Sequence, residues 1–241
     1  SLEAASRNIN TEMVQVLTIE DIERAHYGIP ERTVTFKVRV KNLAFDKNIV
    51  VYGELEDGTW EDLSTGASYV GPAGEGYEIW KVTAHWISYY GDTPFGDEFV
   101  VRYEVAGNSY WDNNGGNNYV SEGHSGLQFT AAAGNIQLYT AYGYSYNNSV
   151  GMSVNLRNLS PNKTVKVVYS WDNWNTVNEA YFSYASMIYP SYASVLYSPN
   201  SHGIERWTAD FMLPAGVSFE DVKFALSYET DGQTYWDNNY G

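Results

Sequence analysis

The 241-residue chain has no cysteine, which excludes a disulfide framework, a thiolate zinc site and a thiol nucleophile. Its four histidines are scattered and offer no cluster for metal or acid–base chemistry. Basic residues are scarce: 14 Lys+Arg stand against 29 Asp+Glu, a net charge of −15. That balance disfavours nucleic acid and anionic membrane as partners and suits a neutral ligand. No run of about 18 apolar residues is present, so no helical membrane span is expected. No signal-peptide pattern is visible, and Ser1-Leu2 reads as an arbitrary start. The chain is therefore expected to be a monomeric fragment of a larger protein.

Aromatic residues, by contrast, are abundant. They make up 16% of the chain, with 22 Tyr and 8 Trp, more ring surface than a core of this size needs. One pentapeptide, Tyr-Trp-Asp-Asn-Asn, occurs twice, at Tyr110–Asn114 and Tyr235–Asn239. Each copy closes an alternating stretch, Val100–Gly107 and Phe224–Gly232. A duplicated strand–turn–pentapeptide unit implies two related domains, expected at residues 1–126 and 127–241, with Ser121–Gly134 as the linker region.

The alternation is clearest in Thr33–Asn42, where Val34, Phe36, Val38 and Val40 share one side. Met13–Leu17, Lys47–Gly53, Tyr77–Ala84, Phe99–Val105 and Asn108–Trp111 also read as strands, the last two joined by a hairpin turn at Ala106-Gly107. Tyr119-Val120 and Leu127–Phe129 are candidate edge strands. Ile19–Tyr27 fits either a helical turn or an irregular excursion, and Gly58–Gly76, rich in Gly, Ser and Thr, reads as loop. The second half repeats the order with Ser149–Asn158 and Lys163–Ser170, and carries extra residues in the Tyr-rich tract Glu179–His202. The expected fold class is all-β: two antiparallel immunoglobulin-like β-sandwich domains in tandem.

The chemistry of the pentapeptide points to sugar. A flat ring can stack on the C–H face of a pyranose, and an Asn amide offers a donor and an acceptor to neighbouring hydroxyls. The same Asp-Asn-Asn-Gly sequence is also a turn former, and Asp112 fits a loop brace. Trp80 and Trp207, inside alternating strands, read as core. Trp60 and Trp174 follow turn-rich segments and read as exposed.

The order Lys-Asn, Lys, loop Trp, Glu-x-Trp and Tyr-Trp-Asp-Asn-Asn resembles carbohydrate-binding module family 21. These are the starch-binding domains of certain fungal glucoamylases, found also in glycogen-targeting subunits of protein phosphatase 1. The strongest stretches are Val40–Lys47 and Phe99–Tyr119, and the resemblance covers both halves. It implies a non-catalytic β-sandwich that binds α-1,4-glucan or maltooligosaccharide, commonly at two sites. For the first domain it implies one site at Trp60, Trp111, Asn113 and Asn118, with Val100 where the family has a strand aromatic. It implies another at Phe45, Tyr69, Tyr77, Asn42 and Lys47. For the second domain it implies Trp174, Trp236 and Asn238, with Ala225 at the strand position, and the remnants Asn158 and Lys163. There Pro161 replaces Phe45 and Ile204 replaces Tyr77. The Tyr-rich tract is open to two readings, replacement rings or packing.

Other functions are weighed on residues. Glycoside hydrolysis needs two carboxylates at a fixed separation; Asp112 and Asp237 recur, but one per domain. Arg32–Phe36 fits a basic-x-Val-x-Phe phosphatase-docking pattern, yet it lies on the best strand. No cofactor is expected; calcium at the Asp-Asn-Asn loops has suitable oxygen ligands but no dense acidic loop. Sequons at Asn147, Asn158 and Asn162, together with the ligand class, point indirectly to an extracellular or cell-surface location.

Overall fold

The computed structural model describes residues 13–91, 93–131, 134–188 and 195–237. Among them there is no α-helix, only single 3-10 turns at Ser88–Tyr90, Asn114–Gly116 and Phe219–Asp221. The chain divides into two compact units after Gly134.

The first unit contains β1 (Val14–His26), β2 (Ile29–Lys41), β3 (Lys47–Leu55), β4 (Trp60–Asp62), β5 (Ser64–Pro72), β6 (Tyr77–Ile87), β7 (Phe95–Val105), β8 (Asn108–Asp112), β9 (Tyr119–Val120) and β10 (Gly126–Phe129). One sheet runs β10-β1-β2-β6-β5; the other runs β4-β3-β7-β8, with β9 beside β7. Every pairing is antiparallel. Period-2 alternation turns Val34, Phe36, Val38 and Val40 of β2 inward against Ile49, Val51, Phe99, Val101 and Tyr103 of the facing sheet. Phe36 meets Phe99 edge-on, with ring centroids 5.5 Å apart.

The second unit repeats this plan with β11 (Ile136–Tyr144), β12 (Ser149–Arg157), β13 (Lys163–Ser170), β14 (Asn178–Tyr181), β15 (Ser183–Ala185), β18 (Ile204–Met212), β19 (Lys223–Thr230) and β20 (Gln233–Asp237). Its sheets run β11-β12-β18-β15 and β14-β13-β19-β20. Between them in sequence, β16 (Met187–Ile188) pairs with β17 (Leu196–Tyr197). The second core gathers Val150, Met152, Val154, Leu156, Val165, Val167, Leu226 and Tyr228.

Four expectations are corrected. Ile19–Tyr27 is neither helical nor irregular: it continues β1 into a long hairpin with β2, turning at Tyr27-Gly28, where both residues have positive φ. Its charge pattern hid this, because Asp21 is fully buried against Arg32. Gly58–Gly76 is not loop but contains β4 and β5. β5 is an edge strand broken by two register shifts, so its small residues carry no alternation. Ser121–Gly134 is not all linker, since β10 lies within it. Leu127 and Phe129 are buried and β10 pairs with β1, so the first unit runs past residue 126 to Gly134.

Candidate functional site

The outward face of the β4-β3-β7-β8 sheet is built by register. Trp60 on β4 is paired with Glu54, Tyr52 with Val100, and Arg102 with Trp111. Paired residues, and residues two apart on one strand, share a face. Trp60, Tyr52, Val100, Arg102 and Trp111 therefore point away from the core. β4 and β8 are three strand spacings apart, about 14 Å, so the two tryptophans flank the face. Trp60 is 39% and Trp111 49% exposed.

Tyr52 joins this face although it was absent from the sequence-based candidates. Its ring meets Trp111 edge-on at 5.7 Å. The Arg102 guanidinium lies 4.9 Å from the Tyr52 ring and 5.4 Å from that of Trp111, a cation–π contact that pins both rings. The available signal was the alternation of β3, which puts Tyr52 in phase with Val50 and out of phase with the core residue Val51. Val100, at the position where the resemblance places an aromatic, pairs directly with Tyr52, which presents a ring on the adjacent strand.

The asparagines of the motif build the loop around this face. Asn113 accepts a hydrogen bond from the Gly116 N–H at 3.0 Å, and Asn118 donates to Glu98 at 3.0 Å. Asn114 donates to the Asn118 carbonyl at 2.8 Å. Asp112 faces inward instead. It accepts from the Val16 N–H at 2.8 Å and the Tyr119 hydroxyl at 2.7 Å, tying β8 to β1 across the sandwich. Asp237 repeats this with the Leu138 N–H at 3.0 Å. Both N–H groups flank a register shift, at Val16/Thr18 and Leu138/Thr140, where the strand pairing is interrupted. The recurrent aspartates are thus braces of each sandwich, one per unit.

The residues of the other implied site are partly dispersed. Lys47 has a side chain only 3% exposed; its ammonium donates to Asn42 at 2.8 Å and to the Ala44 carbonyl, and lies 3.3 Å from Glu78. Glu78 in turn accepts from the Trp80 indole at 2.8 Å. Tyr69 packs edge-on against Trp80 at 5.8 Å. Tyr77 is paired with Lys41 on the opposite face of the sheet from Trp80, where Arg39 sits 4.5 Å from its ring. Phe45, in the turn between β2 and β3, is 95% exposed. Asn42 and Lys47 therefore fix the turn that presents Phe45, and Tyr77 is not on the side of Tyr69.

The second unit reproduces the braces. Lys163 donates to Asn158 at 2.7 Å and lies 3.2 Å from Glu205, which accepts from the Trp207 indole at 3.2 Å. Tyr184, from the Tyr-rich tract, meets Trp207 edge-on at 6.0 Å, as Tyr69 meets Trp80. Tyr184 thus stands toward Trp207 as Tyr69 stands toward Trp80. On the outward face Trp236 pairs with Ser227, while Val168 and Ser227 occupy the places of Tyr52 and Arg102. Trp174 does not correspond to Trp60. It sits in the turn after β13 at φ 67°, its N–H bound to Ser170 Oγ at 2.9 Å. In that turn hydrogen bonds from Thr176, then from Ser170, hold the Asp172 carboxyl below the usual carboxylate range. Asn238 lies outside the described residues.

Among the described residues no group of three or more Asp, Glu or His is arranged to hold a metal ion. The docking-like stretch at Arg32–Phe36 lies inside β2, with Val34 and Phe36 fully buried.

The family model for the carbohydrate/starch-binding module, family 21, matches residues 13–122 and 131–241. Protein phosphatase 1 regulatory subunit 3B of Bos taurus is 33% identical over 95 residues, covering 39% of this chain and 30% of that protein. Glucoamylase 1 of Rhizopus oryzae is 36% identical over 96 residues, covering 39% of this chain and 15% of that protein. The chain thus spans under a third of the length of these relatives. Among solved structures, the starch-binding domain of Rhizopus oryzae glucoamylase, in complex with β-cyclodextrin and maltoheptaose, matches with 27% identity and a TM-score of 0.35. That match covers 47% of this chain and 95% of that one. The two matched regions together span most of the sequence and coincide with two β-sandwich units, each carrying an exposed tryptophan of the repeated pentapeptide on an outward sheet face: the chain belongs to carbohydrate/starch-binding module family 21.

Proposed function

We propose that the chain binds α-1,4-glucan, in the form of starch, amylose, glycogen or maltooligosaccharide, without acting on it, and anchors a larger protein to that polymer. The observation that carries this reading is the outward face of the first unit, where Trp60, Tyr52 and Trp111 expose ring surface and Arg102 holds two of the rings in place. Rings in fixed orientation lose little entropy when a pyranose stacks on them. The acidic surface of the chain does not oppose a neutral polyol. The braced roles of Asp112 and Asp237 run against glycoside hydrolysis, since both carboxylates already accept backbone N–H groups.

Trp60→Ala and Trp111→Ala are each expected to weaken maltoheptaose binding by about 1–2 kcal/mol, roughly fivefold to thirtyfold, with the circular dichroism spectrum unchanged. Calorimetric titration checks this, and unaltered affinity in both folded variants would sink the assignment. Retention on insoluble amylose but not on cellulose is the companion expectation.

The parent context has two readings, because the relatives include both a glucoamylase and phosphatase regulatory subunits. An amylolytic parent, extracellular or cell-surface, fits the burial of Val34 and Phe36, which removes Arg32–Phe36 as a docking peptide. A glycogen-targeting scaffold would bind the phosphatase through residues elsewhere. Co-precipitation of the protein phosphatase 1 catalytic subunit with this chain distinguishes them.

A further inference from the structure

The first unit closes one end of its sandwich with buried charge. Arg32 donates from Nε to Asp21 Oδ1 at 3.1 Å and from Nη2 to Asp21 Oδ2 at 2.7 Å, and also to the carbonyls of Gly96 and Ser121, both at 2.9 Å. Asp21 is paired with Val34; in the second unit the residue paired with the corresponding Val150 is Gly143. Asn148 stands at the place of Arg32, and its amide is turned to the carbonyls of Leu213 and Pro214. Phe219 fills the inner side of Gly143, where a methyl group would meet its Cβ at 2.5 Å, and a cavity of about 610 Å³ lies beside it, bounded by Gly143, Tyr144, Asn148, Val217, Phe219 and Glu220 among others.

Three tyrosines stand at alternate positions, Tyr142, Tyr144 and Tyr146, and of these Tyr144 bounds the cavity. At the first two of these positions the first unit has Glu20 and Ile22, paired with Thr35 and Thr33. The hydroxyl end of the Tyr142 ring lies over Gly151 of β12: a methyl group there would meet its ring atoms at 2.7 and 2.9 Å. The absence of a side chain at Gly151 makes room for this ring, and the residue is 43% exposed. Tyr144 stands nearly perpendicular to it, at 4.8 Å and 84°, and Tyr146 follows at 5.6 Å and 63°. The phenols of Tyr142 and Tyr144 hydrogen-bond, and that bond first, with burial second, pushes the Tyr144 hydroxyl up to about 12. Asp210, paired with Gly151, presents a carboxylate beside them. Among the described residues, none bounding the cavity is basic.

A ring floor, a ring wall and a carboxylate acceptor, with no cation, fit a neutral polyol rather than an anion. We propose that this corner of the second unit is an additional α-glucan contact, in which a glucose residue stacks on Tyr142 against Tyr144 and donates a hydroxyl hydrogen bond to Asp210. It rests on the α-glucan reading above, and it belongs to the second unit alone.

The test is maltoheptaose titration of the full chain, followed by calorimetry and by the tyrosine side-chain NMR signals. Tyr142→Ala and Tyr144→Ala are made in a Trp60→Ala, Trp111→Ala, Trp236→Ala background, with circular dichroism as the control of folding. That background is expected to keep residual binding, and each tyrosine variant to lower it by about tenfold. Tyr142→Phe should keep the binding. Gly151→Ala, which removes no aromatic ring but lifts Tyr142 from its floor, should lose it. Equal binding by the background and by its Tyr142→Ala and Tyr144→Ala derivatives overturns this inference while leaving the α-glucan reading intact. Failure of the unmodified chain to bind maltoheptaose at all overturns both.

Discussion

Asp112 shows how one side chain can look catalytic in sequence and be structural in space. Its carboxylate accepts from a backbone N–H of the opposite sheet and from the Tyr119 hydroxyl. Asp112→Ala leaves the buried Val16 N–H without a partner, which costs about 1–3 kcal/mol. Urea denaturation is expected to show this loss, and maltoheptaose affinity should hold wherever the variant remains folded. Tyr103 is a second such residue. It is fully buried, and its hydroxyl donates to the Lys41 carbonyl at 2.7 Å. Burial, followed by the nearby Glu78 charge, pushes its phenol up to about 12. The protonated phenol therefore favours the folded state. Its contribution is fully present below the ordinary phenol pKa of about 10 and is lost as the pH rises from there through about 12. Denaturation midpoints measured across that range should fall more steeply for the native chain than for Tyr103→Phe. At neutral pH that variant should cost about 1 kcal/mol.

The turn after the clearest strand of each unit is held by one repeated device. Lys47 or Lys163 is drawn under the turn between an Asn and a Glu, and the Glu also accepts from a tryptophan indole. An ammonium this buried needs its partners, because water no longer solvates it. Glu78→Ala is therefore expected to destabilise the first unit by about 2–4 kcal/mol. In a thermodynamic cycle with Lys47→Met, the double variant should recover much of that loss; simple additivity of the two costs would contradict the coupling. The outward sheet face follows the same logic on a larger scale. β3, β7 and β8 were readable as strands, and their phase turns Tyr52, Arg102 and Trp111 outward, while strand register brings the three together. β5 was not readable, because register shifts cancel the alternation on which any strand assignment depends.

Each unit has its own core, with no residue shared between the two clusters. Each exposes aromatic rings, yet they are not copies in detail. The first pairs Tyr52 and Arg102 with its pentapeptide tryptophan; the second has Val168 and Ser227 there and adds tyrosines elsewhere. Two weak sites carried on one chain gain affinity for a long polymer through effective concentration. Binding to long amylose is therefore expected to exceed binding to maltoheptaose by about 10²- to 10⁴-fold. Trp174→Ala with Trp236→Ala should reduce that excess while the first unit keeps its maltoheptaose affinity. Affinity electrophoresis on amylose beside calorimetry on the oligosaccharide measures both quantities.

Much of this was present in the linear chain. The duplicated pentapeptide, the phase of β2, β7, β12 and β13, and the absence of cysteine and of long apolar runs determined two all-β units and their family, because period-2 burial and motif spacing are local properties. The exposed rings Trp60, Trp111 and Trp236 were legible for the same reason. What a candidate residue bonds to was not local. Lys47 and Asp112 look like ligand-binding groups until the facing strand shows that their donors and acceptors are already used. Trp174 follows its strand as Trp60 does, and only backbone geometry separates a turn residue at φ 67° from one paired in β4. Tyr52 entered the site, and Tyr77 left the side of Tyr69, through sheet register. Register depends on which residues of distant strands pair, so it was decided only when the sandwich closed.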